Sequence, residues 1–206
     1  MGTPVDSNQR ELVAHGSASF PIRYYDDDLT NDEVPWHWHE ALEFNLILQG
    51  SMKVSTAGQT QVFRKGEGFF INSNILAAME NETDCVLDSH LFHPVFLSGH
   101  FKSVFETKYL NPVIQNRNLD LIPFRGKTAE QTQILGKLRQ LSRLQEDADT
   151  EFQTRNLLGE IWLLLLDEIK MIDRYPEKGM LVTITSRTRA VGGAVCNSGI
   201  DLKTLD

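Results

Sequence analysis

The sequence predicts a mainly β domain, a barrel or sandwich of short strands, followed by an α-helical hairpin. Three observations predict it. Short apolar runs separated by glycine and asparagine turns recur through the first hundred residues, the pattern of closed or stacked antiparallel sheets. After about residue 100 the apolar period lengthens to the helical one. The composition, 41% hydrophobic and 23% charged, matches an ordinary globular chain that can bury a core.

Taken in order, residues 1–17 (MGTPVDSNQRELVAHGS) form a polar N-terminal arm with no apolar signal-peptide segment. Phe20 to Tyr25 reads as a strand, and the acidic run Asp26 to Glu33 as a solvated loop. Glu43 to Leu48 is a strand expected to end at Gly50. Ser51 to Ser55 and Thr60 to Arg64 flank a hairpin turn at Ala57-Gly58. Lys65 to Gly68 turns into Phe69 to Ile71, Asn72 to Asn74 turns again, and Cys85 to Phe92 is a further strand. The barrel is thus placed at 18–100 and a helical region at 101–175. Within the latter, Phe101 to Leu110 is a short helix expected to stop before Pro112. Thr128 and Gln131 have capping-box spacing, and Ile134, Leu135, Leu138, Leu141 and Leu144 recur at helical spacing. A second helix from about Glu151 to Met171 is apolar all round in its middle, which requires cover on more than one side. Residues 176–206 form a linker and a tail with no period, expected to be weakly ordered.

The bulk properties exclude several functions. A formal net charge of −8 argues against the chain itself gripping nucleic acid. Cys85 and Cys196 are too few for a disulfide framework and have no zinc spacing. The longest apolar run, Ile161 to Leu166, falls far short of the roughly 20 residues of a membrane span. A cytoplasmic protein with packing cysteines is expected.

One segment carries chemistry, Trp36-His37-Trp38-His39-Glu40-Ala41-Leu42-Glu43. Residues two apart on a strand share a face, so His37 and His39 project together while Trp36 and Trp38 face the other way, expected between barrel and helices. Glu43 meets the histidines from the next strand and Asn45 follows on the same side. Two imidazoles and a carboxylate suit iron, manganese, nickel or zinc. Arg23, on the first strand, offers a guanidinium to an anionic or hydroxylated ligand or to the acidic loop. His90 and His93 fall on opposite faces of a strand, so at most one points inward.

The spacing H-x-H-x3-E-x6-G, ending at Gly50, resembles the first cupin motif, and GEGFFINSNILA (66–77) resembles the second, with Ala77 where the family places a third histidine. The run FPIRYY, PWHWHEALEF, KGEGFFINSNIL, LFHPVFLSG and KYLNP, over roughly residues 18–175, resembles the N-terminal domain of AraC-type transcription regulators. That resemblance implies a cupin-type double-stranded β-barrel that binds a small effector, often a sugar, and a helical hairpin through which two copies form a homodimer. It also implies DNA contact only through a separate C-terminal helix-turn-helix domain. The tail after Tyr175 to Gly179 has no such pattern, so the chain is expected to be a regulator truncated or frameshifted before its DNA-binding part.

Three functions follow for testing: an effector-sensing regulator domain, a metal-dependent cupin isomerase or dioxygenase, and a ligand-free dimerisation module. Ala77 removes one ligand from the cupin set, and ligand number governs metal affinity. His37, His39, Glu43, Asn45 and Arg23 are therefore expected to contact an effector, with no metal cofactor, catalysis or membrane. A metal on His37, His39 and Glu43 is the alternative. Four inward polar groups need partners, which opposes the ligand-free module.

Overall fold

The structure, a computed structural model, describes residues 3–174 apart from residue 31. The expectations for the tail and Cys196 lie outside the described residues. Strands β1 (Ile22–Asp28), β2 (Val34–His37), β3 (Leu42–Thr56), β4 (Thr60–Arg64), β5 (Gly68–Ile71) and β6 (Ala77–Phe92) come first. Short helices α1 (Val95–Ser98) and α2 (Asn111–Ile114), strand β7 (Leu121–Phe124) and the long helices α3 (Ala129–Leu144) and α4 (Glu151–Arg174) follow. All the strand pairs are antiparallel. The order is β1-β6-β3-β5-β7, with β2 on β6 and β4 on β3.

Side-chain alternation divides the strands between two cores. Ile22, Phe92 and Leu42 are cross-strand neighbours, as are Phe44, Phe70 and Ile122. They join the helical residues Ile134, Leu138, Leu141, Leu158, Ile161, Trp162 and Leu165 in the larger core. The other face turns into the barrel, where Ile47, Met52, Val54, Phe63, Phe69, Ile71, Met79, Cys85 and Leu87 form the second. Burial pushes the Cys85 thiol up to about 11, with Asp28 adding to it, so this cysteine packs and does not react.

Several elements run further than expected. The acidic residues Asp26 to Asp28 are not a loop; they extend β1 against Asp88, Leu87 and Val86, because the ladder with β6 overrides their poor strand propensity. Gly50 does not end a strand. It lies within the continuous β3, where the register to β6 shifts between Ile47 and Met52, and its φ of +70° supplies the bulge. Pro112 does not stop the preceding helix. A π-helical turn at Glu106–Leu110 runs into α2, and Pro112 occupies its first turn, where no N–H is needed. Strand β7 falls in the span expected to be helical and closes the sheet beside β5.

The α3 cap forms as predicted, Thr128 Oγ1 accepting from the Gln131 amide at 3.0 Å. The reciprocal bond does not: Gln131 Oε1 accepts instead from Arg125 N and Lys127 N. The buried Glu168 carboxylate of α4 accepts from Thr128 Oγ1 at 2.8 Å and Gln131 Nε2 at 2.7 Å. That pins α4 to the α3 N-terminus, where a negative charge is favoured. In the apolar middle of α4, Ile161, Trp162 and Leu165 are buried while Leu163 is 54% exposed.

Candidate functional site

The expected convergence of His37, His39, Glu43 and Asn45 is present, and all four are buried. Their placement follows from cross-strand register. Arg23, Leu91, Glu43 and Ile71 form one row across β1, β6, β3 and β5, and Tyr25, Ser89, Asn45 and Phe69 form the next. Glu43 and Asn45 face the barrel lumen, because their cross-strand neighbours Ile71 and Phe69 belong to the inner core. The lumen is therefore polar near the mouth and apolar below.

Each imidazole of the HxH segment is fixed by its own backbone. His37 Nδ1 donates to Pro35 O at 2.9 Å and His39 Nδ1 to Ala41 O at 3.0 Å. A carbonyl only accepts, so both Nδ1 atoms carry the proton and Nε2 is the free position. His39 Nε2 lies 3.4 Å from Glu43 Oε2. Burial works against charge on His39, but the hydrogen bond and charge of Glu43 outweigh it and hold His39 above its ordinary pKa. Burial likewise opposes charge on Glu43, and His39 and His37 outweigh it and hold the carboxyl low. Asn45 Oδ1 accepts from Ser89 Oγ at 2.7 Å. Its amide nitrogen lies near enough to Glu43 to favour the carboxylate, yet closes no hydrogen bond of standard geometry.

The remaining predicted residues fall elsewhere. Arg23 is exposed and its guanidinium lies 5.7 Å from the Tyr25 ring centre. Of the pair His90 and His93, His90 stays out of the lumen, while the exposed His93 accepts from Val95 N through Nδ1 and lines a cleft at the barrel mouth beside His39. His90 is fully buried on the helix side, stacked on Tyr24 and 3.3 Å from Ser142 Oγ, where burial pushes its pKa down to about 3. The tryptophans are not the core between barrel and helices. Trp36 is 40% exposed, and Trp38 pairs with the arm instead: Trp38 N donates to Gln9 O, Glu11 N to Trp38 O and Trp38 Nε1 to Asn8 O. Strand β2 pairs with β6 at the side of the sheet.

That pairing brings in residues the sequence did not flag. The arm crosses the barrel mouth and lowers Glu11 and His15 onto the histidines. His15 Nε2 lies 2.9 Å from Glu11 Oε2 and His15 Nδ1 lies 3.1 Å from Tyr25 Oη. His37 Nε2 is 3.9 Å from the same Glu11 oxygen, and the His15 and His39 rings meet edge to face at 5.2 Å. Asp27, one row deeper than Tyr25, has its pKa raised by burial and by the charges of Asp26 and Glu43. The only signal for Glu11 and His15 was their four-residue spacing in a polar arm. Tyr25 and Ser89 were legible from strand alternation once Arg23 and Asn45 were placed, whereas Asp27 fell in the run read as a loop. A cleft of about 160 Å³ remains at the mouth, lined by Arg10, Glu11, His15 and His39 among others.

A polar lumen in a small antiparallel barrel, entered past an HxH edge strand and backed by a helical hairpin, defines a cupin-type ligand-binding barrel. The chain belongs to the AraC-like ligand binding domain family, whose sequence model matches residues 19–166. It is 25% identical over 194 residues to the uncharacterized HTH-type transcriptional regulator YdeC of Bacillus subtilis (strain 168), covering 86% of this chain and 65% of that one. The chain thus spans about two thirds of that relative's length. Short matches reach solved structures. One is an RmlC-like cupin of Methanocaldococcus jannaschii (16% identity, TM-score 0.31, 35% of this chain and 68% of that one). Another is a variant oxalate decarboxylase of Bacillus subtilis (13% identity, TM-score 0.34, 36% of this chain and 22% of that one). Among the described residues no helix is long and apolar enough to cross a membrane.

Proposed function

We propose that this chain is the effector-sensing part of a cytoplasmic transcription regulator, and that its effector is a small neutral polyol, a carbohydrate first of all, held in the barrel by Asn45, Glu43, Ser89 and the histidines. The observation that carries this reading is Asn45. It is fully buried, its carbonyl is engaged by Ser89, and its amide donors close no hydrogen bond. A buried amide left open costs about 1–3 kcal/mol, and a ligand hydroxyl oxygen would satisfy it. Glu43 and Asp27 supply carboxylate acceptors on the same wall, which suits hydroxyl donors and disfavours an anionic ligand.

The role is regulatory rather than catalytic. The matched family is a ligand-binding domain and YdeC is named a transcriptional regulator. DNA contact belongs to a separate helix-turn-helix domain of such regulators; the net charge of −8 disfavours this chain as the DNA-gripping part. Thermal-shift screening of neutral sugars, sugar acids and hydroxy acids tests the effector. A neutral sugar should raise the melting temperature of the parent by several degrees and leave Asn45→Leu unmoved. A ligand that stabilises both proteins equally would refute the site.

The same reading makes the helices the homodimer contact. Along α4, Phe152, Leu163 and Met171 are 72%, 54% and 40% exposed, apolar side chains standing among polar ones such as Asp167 and Lys170, which a second copy would cover. Sedimentation velocity should find a dimer for the parent and a monomer for Leu163→Glu. A dimer that survives this change would move the interface elsewhere.

A further inference from the structure

We propose that Glu11, His15 and His39 bind one divalent transition-metal ion at the barrel mouth, so that the N-terminal arm is held to the barrel by coordination. The expectation of a metal-free barrel rested on Ala77, which pairs with His37 in the β2–β6 ladder and offers only a methyl group. The arm changes the donor count. One ligand atom from each of Glu11, His15 and His39 lies within 4.8 Å of the other two, a set drawn from two elements far apart in sequence. Two imidazoles and one carboxylate, with room for a further ligand, suit zinc, iron(II), nickel or manganese and do not suit calcium or magnesium.

The surroundings are those of a built site. The side chains of Glu11 and His15 are each 8% exposed and that of His39 is 9% exposed. His39 donates its Nδ1 proton to Ala41 O, which presents Nε2 to the ion, and Tyr25 Oη stands ready to accept from His15 Nδ1 in the same way. Outer partners of this kind fix the tautomer of metal-bound histidines. Glu43, 3.4 Å from His39 Nε2, and His37, 3.9 Å from Glu11, stand beside the set as further donors. Ligand–metal bonds of about 2.0–2.2 Å bring ligand atoms to within about 3.5 Å of one another. The longest separation therefore closes by about 1 Å, a side-chain adjustment for the arm residues, which belong to neither core.

The ion needs no effector for its coordination, although His39 belongs to both sites, so it is tested without one. Full-length protein is stripped with chelator and titrated with zinc, nickel and, anaerobically, iron(II), following heat and bound-metal stoichiometry. The expected result is one ion per chain at micromolar affinity or tighter. His15→Ala and the isosteric Glu11→Gln should each weaken binding by about a hundredfold, while His100→Ala should leave it unchanged. The stripped variants should melt with the stripped parent, since the arm lies outside both cores. Trypsin cleavage after the exposed Arg10 should slow several-fold in the parent on adding metal, and not in Glu11→Gln. Binding that persists in both arm variants and is lost in His37→Ala would place the ion on the strand residues alone and overturn the proposal. So would the absence of binding by all three ions.

Discussion

Phe44→Ala is expected to lower stability by about 3–5 kcal/mol, enough to move the melting temperature by about 10 °C or more. Phe44 is fully buried. Its ring lies 5.0 Å from Phe70, 6.1 Å from Phe92 and 6.2 Å from Phe124, so one side chain links β3 to β5, β6 and β7. It also forms part of the surface on which α3 and α4 pack. Truncation removes the transfer energy of the ring and leaves a void among aromatics anchored in three strands, which cannot collapse to fill it. The lumen residues Glu43 and Asn45 flank Phe44 on the same strand, so effector binding should weaken along with stability. Chemical denaturation with and without the effector measures both. A loss below about 1 kcal/mol would mean that the sheet and helices do not share this core.

The second large effect is expected at Gly50. An alanine Cβ there would lie 1.7 Å from the Asp84 carbonyl oxygen, in a backbone with φ of +70°. The conformation alone costs a side chain about 1–3 kcal/mol, and the collision is with backbone of the paired strand, which cannot swing aside. Gly50→Ala must therefore separate β3 from β6 where the register shifts, next to the hydrogen bond from Lys65 N to Gly50 O. Expression in inclusion bodies or a melting temperature lowered by at least as much as in Phe44→Ala is the expected outcome. A variant with parental stability would show that the bulge can relax, contrary to the close approach seen here.

Both positions show what the sequence carried and what it did not. The alternation of Glu43, Asn45 and Ile47 against Phe44 and Leu46 set which side chains line the lumen, because a strand allows only two faces. The HxH pair was legible for the same reason. Gly50 was legible as a break and misplaced as a strand end, since a bulge and a turn call for the same residue. The acidic Asp26 to Asp28 and the tryptophans were misassigned because their environment is set by neighbours distant in sequence: β6 recruits the first, and the arm covers Trp38. Glu11 and His15 were out of reach for that reason too. Nothing local in MGTPVDSNQRELVAHGS announces that Trp38 will capture its backbone.

The most direct test of the lumen as the effector site is the side-chain amide resonance of Asn45, assigned by its loss in Asn45→Asp, followed through titration with the sugar selected by thermal shift. The account predicts that this NH₂ pair moves and becomes protected from solvent exchange as the site fills, together with the ring signals of His37 and His39. Resonances of the second cleft, between Phe20, Phe152 and Arg155, should stay still. A titration that shifts the Arg155 and Phe152 signals and leaves Asn45 in place would put the effector against α4 and contradict the account.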